Sequence, residues 1–247
     1  NTLVIAASYS GNTEETISCV EEAVARNLKI IGISSGGDLA AILKRCARPT
    51  YTFIPTHNPS MQPRIGQGYM QVGQMALLAK LGLISLNDKE ITAMTAKLRT
   101  LQKNLEASVP AKNNPAKQLA VSLKDKIVNL IGAEFLEGAL HAIRNPFHET
   151  GKHFANYFII PEMNHHLLEG LAFPERNKED LLFLFIFSSL YSDPVKRRME
   201  LTRDVVAKND IETQTVKLKS FTEFESAFEL IQLGSFVTFY LGILHNQ

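Results

Sequence analysis

The sequence predicts an α/β protein with two doubly wound domains, each built on a parallel sheet. Three observations carry this. Short apolar runs alternate with helical stretches near the start of the chain and again over its second half, the pattern of βαβ units. The runs at residues 3–7 and 181–187 are continuously apolar, as strands covered on both faces are. Between the two series lies a charged, helical stretch, 87–123, interrupted by Pro110 and Pro115, which reads as a connecting helix and linker. The expected division is a first domain over 1–95, a connector over 96–123 and a second domain over 124–247.

In chain order, the run 3–7 is a strand ending in Ser8, and a polar turn leads to a helix over 14–26 with Ile17, Val20 and Val24 on one stripe. Residues 29–33 form the next strand and Ser34-Ser35-Gly36-Gly37 the next turn. Asp38 is placed to cap a short helix over 39–46, and 50–54 is a third strand. A Pro-rich loop, 55–63, precedes a helix over 66–81. In the second half, strands are expected at 127–132, 157–160, 181–187 and 213–218. Helices are expected over 135–144, from Asp193-Pro194, and from 223 onward.

Composition narrows the class. The chain has 247 residues, 45% of them hydrophobic and 21% charged, the profile of a packed protein. A formal charge of +1 supplies no field for nucleic acid or an anionic membrane. No run reads as the ~18–20 apolar residues of a membrane span, and no signal peptide is visible. Two cysteines, Cys19 and Cys46, fall in helical, apolar contexts and read as reduced packing residues of a cytoplasmic protein. The chain starts at Asn1 with a strand beginning at once, and it stops at Gln247 inside a helical pattern. On this reading it is a fragment clipped at both ends, its first domain truncated.

The turn after the first strand holds the densest chemistry. In a parallel sheet, ligands sit beyond the carboxyl ends of the strands, where helix N-termini point. Ser8, Ser10 and Thr13 offer hydroxyls there, Asn12 an amide, and Gly11 lets backbone N–H groups approach closely. Such a loop would hold an anion through neutral donors, since it contains no lysine or arginine. A plain turn followed by a helix cap uses the same residues. The loop lacks both Gly-x-Gly-x-x-Gly and Gly-Lys-Ser/Thr, which disfavours a dinucleotide or a P-loop nucleotide.

Ser-Tyr-Ser-Gly-Asn-Thr-Glu-Glu-Thr after an apolar strand resembles the signature loop of sugar isomerase (SIS) domains, which are flavodoxin-like and bind phosphosugars. Further stretches narrow the resemblance to the bifunctional phosphoglucose/phosphomannose isomerases. These are Gln62-Pro63-Arg64 with Gly68-Tyr69, the run 78–84, Glu149-Thr150-Gly151-Lys152, and Pro161-Glu162-Met163-Asn164-His165-His166. The resemblance runs through essentially the whole chain, with motifs in the same order. It implies interconversion of glucose 6-phosphate, or mannose 6-phosphate, with fructose 6-phosphate, and a homodimer in which a histidine crosses the subunit boundary.

That reaction opens the sugar ring and moves a proton between C2 and C1 through an enediolate. It needs a carboxylate, an imidazole and a cation, with no metal or redox cofactor. The resemblance places the C1/C2 base at Glu149, the ring-opening group at His165 and the cation facing the enediolate at Arg64. Glu149 reads as a loop residue, and His166 as structural. His148, Glu149, His153, His165 and His166 have neither His-Glu-x-x-His nor zinc-ribbon spacing, so no metal is assigned.

The chain departs from the family pattern in having His148 and Thr150 around the glutamate and Leu167-Leu168 after the histidines. The family's catalytic lysine, beyond the last long helix, has no counterpart before Gln247. One alternative is a phosphosugar-binding regulatory SIS module without catalysis, which has no use for Glu149 and His165. Another is the isomerase half of an amidotransferase, which calls for a glutaminase segment with a nucleophilic cysteine.

Overall fold

A computed structural model describes residues 2–247; Asn1, the first residue of the expected first domain, lies outside the described residues. The chain divides into two compact units, Asn1–Asp88 and Lys89–Gln247.

The first unit runs β1 (Leu3–Ala7), α1 (Glu14–Ala25), β2 (Lys29–Ser34), α2 (Gly37–Arg45), β3 (Thr50–Thr52) and α3 (Gln67–Lys80). Its three strands pair in parallel in the order β1-β2-β3, with Ala7 opposite Ile33 and Ser34 opposite Thr52. Val20, Ala23, Ile30, Leu39 and Leu43 form one buried cluster, while Tyr9, Ile33 and Phe53 form another. Three details differ from the sequence reading. The third strand stops at Thr52. Helix α2 starts at Gly37 with Gly36 at the N-cap, so Asp38 lies in its first turn instead of capping it. Cys19, expected in packing, is exposed on α1; both cysteines are free.

The second unit contains α4 (Asp88–Leu105, opening on the last residue of the first unit), α5 (Pro115–Leu123), β4 (Ile127–Ala133), α6 (Glu137–Glu149), β5 (Ala155–Ile160), α7 (Met163–His166), α8 (Asn177–Asp180), β6 (Leu181–Phe187), α9 (Asp193–Lys208), β7 (Glu212–Lys217) and α10 (Glu223–Leu244). The sheet is parallel with order β5-β4-β6-β7, the flavodoxin-like arrangement with the unit's first strand inside. Side chains alternate between the two faces of β6. Leu184 and Ile186 meet Ile143 and Phe147 of α6 and Leu230 and Val237 of α10. On the other face Phe187 lies under the guanidinium of Arg203 from α9, 6.0 Å from the ring centroid. Helices therefore cover both faces, which is why β4 and β6 are apolar without alternation. At the carboxyl ends of these strands Tyr191 is buried, its hydroxyl donating to Ile186 O at 3.2 Å and accepting from Ala133 N at 3.1 Å. Burial pushes its pKa well above the usual tyrosine range. Ser192, not Asp193, occupies the N-cap of α9.

Helix α10 corrects the reading that no segment is long and apolar enough to cross a membrane. It meets that test over Glu223–Leu244, with mean hydropathy 1.6. Its apolar character is explained by burial: Phe228, Leu230, Val237, Tyr240 and Leu241 are buried in the second unit, where α10 packs on α5 and α6. A helix that is apolar over most of its circumference is what a core position requires.

The stretch expected to be a linker also feeds this core, through Leu105, Ala116, Ala120 and Leu123. Asn114 joins its two helices. Fully buried, it accepts from Ala116 N and Lys117 N, both at 3.1 Å, as the N-cap of α5, and donates to Glu106 O at 3.1 Å beyond α4. Asn114→Ala should lower stability by about 2 kcal/mol, read as a lower urea midpoint at unchanged slope.

Candidate active site

In the first unit the Ser8–Thr13 residues form a tight turn at the carboxyl end of β1, locked from within. Ser8 is buried, with its Oγ 2.8 Å from Thr13 Oγ1 and accepting from Gly11 N at 3.1 Å. Thr13 occupies the N-cap position of α1 but makes no side-chain cap bond there. Its hydroxyl is turned to Ser8, so it does not cover the first-turn N–H groups, which have no intrahelical partner. Ser10 is exposed and its Oγ accepts from Asn12 N at 3.2 Å. Asn12 Oδ1 accepts from Asp38 N at 3.0 Å, so this side chain ties the turn to the start of α2.

The turn is held from outside by a second glycine loop, Ser34 to Gly37, at the end of β2. Ser35 donates to Tyr9 O through its N–H at 2.8 Å and its hydroxyl at 2.7 Å, and Leu39 N donates to Gly11 O at 2.9 Å. The Tyr9 carbonyl thus points into the second loop and that of Gly11 to the first turn of α2. For an anion this matters, because an outward carbonyl would repel it. Gly11 has φ +79°, and a Cβ there would stand 1.9 Å from Gly36 O. Only glycine permits this approach.

Tyr9, to which the sequence reading gave no role, fastens the Arg64 segment to this turn. Its ring fills the space a Cβ on Gly66 would need, at 2.1 Å, and its hydroxyl accepts from Asn58 Nδ2 at 2.7 Å. Asn58 is buried and also donates to Gln62 O at 2.8 Å. Arg64 sits in the 3-10 turn Pro63–Ile65 and donates to Gln62 Oε1 at 2.8 Å. Sequence reasoning missed Tyr9, Asn58 and Ser35. The one available signal was the recurrence of a Ser/Gly turn after two successive strands.

The second unit carries Glu149 and His165, at opposite ends of β5. Glu149 is the exposed last residue of α6, a helix terminus and not the loop position expected for it. The chain reverses there through Thr150 N and Gly151 N, both donating to Pro146 O at 2.8 and 2.9 Å, and enters the amino end of β5. His165 lies in α7, past the carboxyl end of that strand. Strand β5 has six residues, and at ~3.3 Å each they separate the two ends by about 20 Å. One copy of this unit therefore does not bring both groups to one hexose. The structure fixes α7 through Asn164, whose Nδ2 donates to Thr202 Oγ1 at 2.7 Å; that hydroxyl in turn donates to Arg198 O at 2.8 Å. His166 pairs with Glu162 at 2.9 Å on the surface. The histidines around Glu149 are engaged with backbone: His148 Nε2 lies 2.9 Å from Ala155 O, and His153 Nε2 2.7 Å from Lys126 O. Among the described residues no three His, Cys, Asp or Glu side chains gather as a metal site.

A hydroxyl-lined glycine turn, backed by a second glycine loop at the carboxyl end of a parallel sheet, defines a protein of the SIS-domain class. Residues 112–247 match the family model of the bacterial phospho-glucose isomerase C-terminal SIS domain. The chain is 32% identical over 254 residues to the bifunctional phosphoglucose/phosphomannose isomerase of Caldicellulosiruptor bescii, covering 100% of this chain and 72% of that one. It is 27% identical to the bifunctional phosphoglucose/phosphomannose isomerase of Aquifex aeolicus, covering 99% and 71%. Among solved structures, a hypothetical protein of Thermus thermophilus superposes with TM-score 0.73 at 16% identity, over 98% of this chain and 66% of that one. A glucose-6-phosphate isomerase like protein from the same organism gives 0.62 at 16% identity, over 99% and 81%. The chain belongs to the bifunctional phosphoglucose/phosphomannose isomerase family.

Gly11→Ala should abolish binding of inorganic phosphate, measured by titration calorimetry, while the circular dichroism spectrum stays that of the parent. Undiminished binding would remove the turn from the site.

Proposed function

We propose that this protein interconverts an aldose 6-phosphate, glucose 6-phosphate and also mannose 6-phosphate, with fructose 6-phosphate. The observation that carries this reading is the paired-loop turn at the end of β1, where the carbonyls of Tyr9 and Gly11 are tied back, the exposed Ser10 hydroxyl still has its proton to give, and the N–H groups that open α1 have no side-chain cap. Membership of the isomerase family supports it. In this reading Ser10, Thr13 and the backbone N–H groups that open α1 bind the phosphate, while Ser8 and Asn12 hold the turn in shape. Binding the phosphate remote from the reacting carbons orients C1 and C2. His165 exchanges protons with the ring oxygen and anomeric hydroxyl, Glu149 carries the proton between C2 and C1, and Arg64 stabilises the enediolate charge. The reaction conserves oxidation state overall and calls for no redox cofactor.

The separation of Glu149 from His165 along β5 supports a homodimer in which the two groups serving one sugar come from different copies. The two free thiols suit a reducing cytoplasm. A regulatory module that only binds phosphosugar would leave Glu149 without work, and the family does not favour it.

In the full-length protein, Glu149→Gln should lower kcat for fructose 6-phosphate by roughly 10³-fold or more while its dissociation constant stays within about twofold. Activity surviving this change would exclude Glu149 as the base. Mixing Glu149→Gln with His165→Ala subunits, each inert alone, should restore part of the activity, because a mixed dimer holds one site with both groups intact. No recovery after subunit exchange, verified by differently tagged copies, would place both groups of a site in one subunit.

A further inference from the structure

The turn that carries Glu149 is seated on the end of α10. A Cβ added to Gly242 would come within 2.7 Å of Thr150 O, and one on Gly151 would meet Phe147 O at 2.9 Å and Leu241 Cβ at 3.4 Å. The turn and the helix thus lie close because neither glycine puts a side chain between them. At the far side of the turn His153 is buried. Its N–H donates to Phe147 O at 2.9 Å, its Nε2 lies 2.7 Å from Lys126 O, and its Nδ1 lies 3.1 Å from Nε2 of His245, the C-cap residue of α10. The two ring planes lie 18° from parallel with centroids 5.4 Å apart, the edge-to-edge arrangement a bond between ring nitrogens requires.

The bonding assigns the protons. A carbonyl only accepts, so His153 carries its proton on Nε2 and gives it to Lys126 O. Its Nδ1 is then an acceptor, and His245 donates from Nε2. One further proton can be held by the pair without losing this bond. Two further protons set N–H against N–H and break it.

We propose that the His153–His245 pair is a positioning device for the base: it clamps the Glu149 turn onto the end of α10 and releases it when both imidazoles are protonated. The inference rests on Glu149 being the base. His153 and His245 touch no reacting atom; they act through the turn.

The surroundings keep the clamp closed near neutrality. Burial pushes the pKa of His153 below the usual histidine value, and the neighbouring His245 works in the same direction. The carbonyl of Lys126 and the charge of Asp125 oppose them without reversing the outcome. The ammonium of Lys126 is turned elsewhere, to Glu212 Oε2 at 3.4 Å and Glu179 O at 2.8 Å. A histidine whose folded pKa is depressed contributes stability that is present in full above its unfolded value, about 6.5, and is lost as pH falls through the lower folded value.

The test uses the full-length protein and three variants assayed with fructose 6-phosphate. His245→Phe keeps a ring but removes the donor. His245→Gln keeps a donor that does not titrate. Glu149→Gln serves as the control. His245→Phe is expected to lower kcat about tenfold with KM within about twofold, and His245→Gln to recover most of that loss. Near the acid end of the pH profile, His245→Gln should hold its kcat to lower pH than the parent. A parent-like kcat in His245→Phe, or equal impairment in both variants, overturns the clamp. If His245→Phe does not fold, the parent and His245→Gln profiles decide: coincident acid limbs overturn the proposal, and displaced ones support it. A Glu149→Gln enzyme that stays active removes the base assignment instead. An inert Glu149→Gln beside a parent-like His245→Phe removes the clamp alone.

Discussion

The first unit depends on one close approach, that of Gly11 to the carbonyl of Gly36. Because neither residue carries a side chain, the turns after β1 and β2 press together, and Ser35 and Leu39 take up the carbonyls of Tyr9 and Gly11. With these acceptors occupied behind it, the first turn presents hydroxyls and N–H groups outward. A side chain at Gly11 would reopen that gap, and the polarity of the turn would change with it.

The second unit uses the same economy of backbone contact for another purpose. Gly151 and Gly242 let the turn after α6 lie directly on α10, and Gly234 lets α10 meet Ile143 of α6. The long apolar helix that by composition alone resembles a membrane span is the wall against which the Glu149 turn is placed. Its hydrophobicity follows from what covers it. Polar backbone groups at the end of α4 and the start of α5 are answered by Asn114, so the segment read as a linker is tied into the same core.

Parallel topology also explains why Glu149 and His165, close in sequence on either side of a single strand, face different ends of the sheet. A helix before a parallel strand delivers the chain to the strand's amino end, and the segment after the strand leaves from its carboxyl end. Proximity in sequence across a strand therefore means separation in space.

From the sequence alone, continuous apolar runs determined the strands, since a strand covered on both faces has no polar side, and the Ser/Gly turn marked the carboxyl end of β1. Helix positions, the parallel sheets and the motif residues were legible for the same reason: they are set by local periodicity and local turn chemistry. What tertiary structure decided were contacts between residues far apart in the chain, such as Tyr9 with Asn58, Gly11 with Gly36, Asn164 with Thr202, and His153 with His245. No periodicity encodes these, because each depends on two elements packing at a definite distance. The burial of α10 and the exposure of Cys19 belong with them: hydropathy measures what a side chain prefers, and packing determines what it meets.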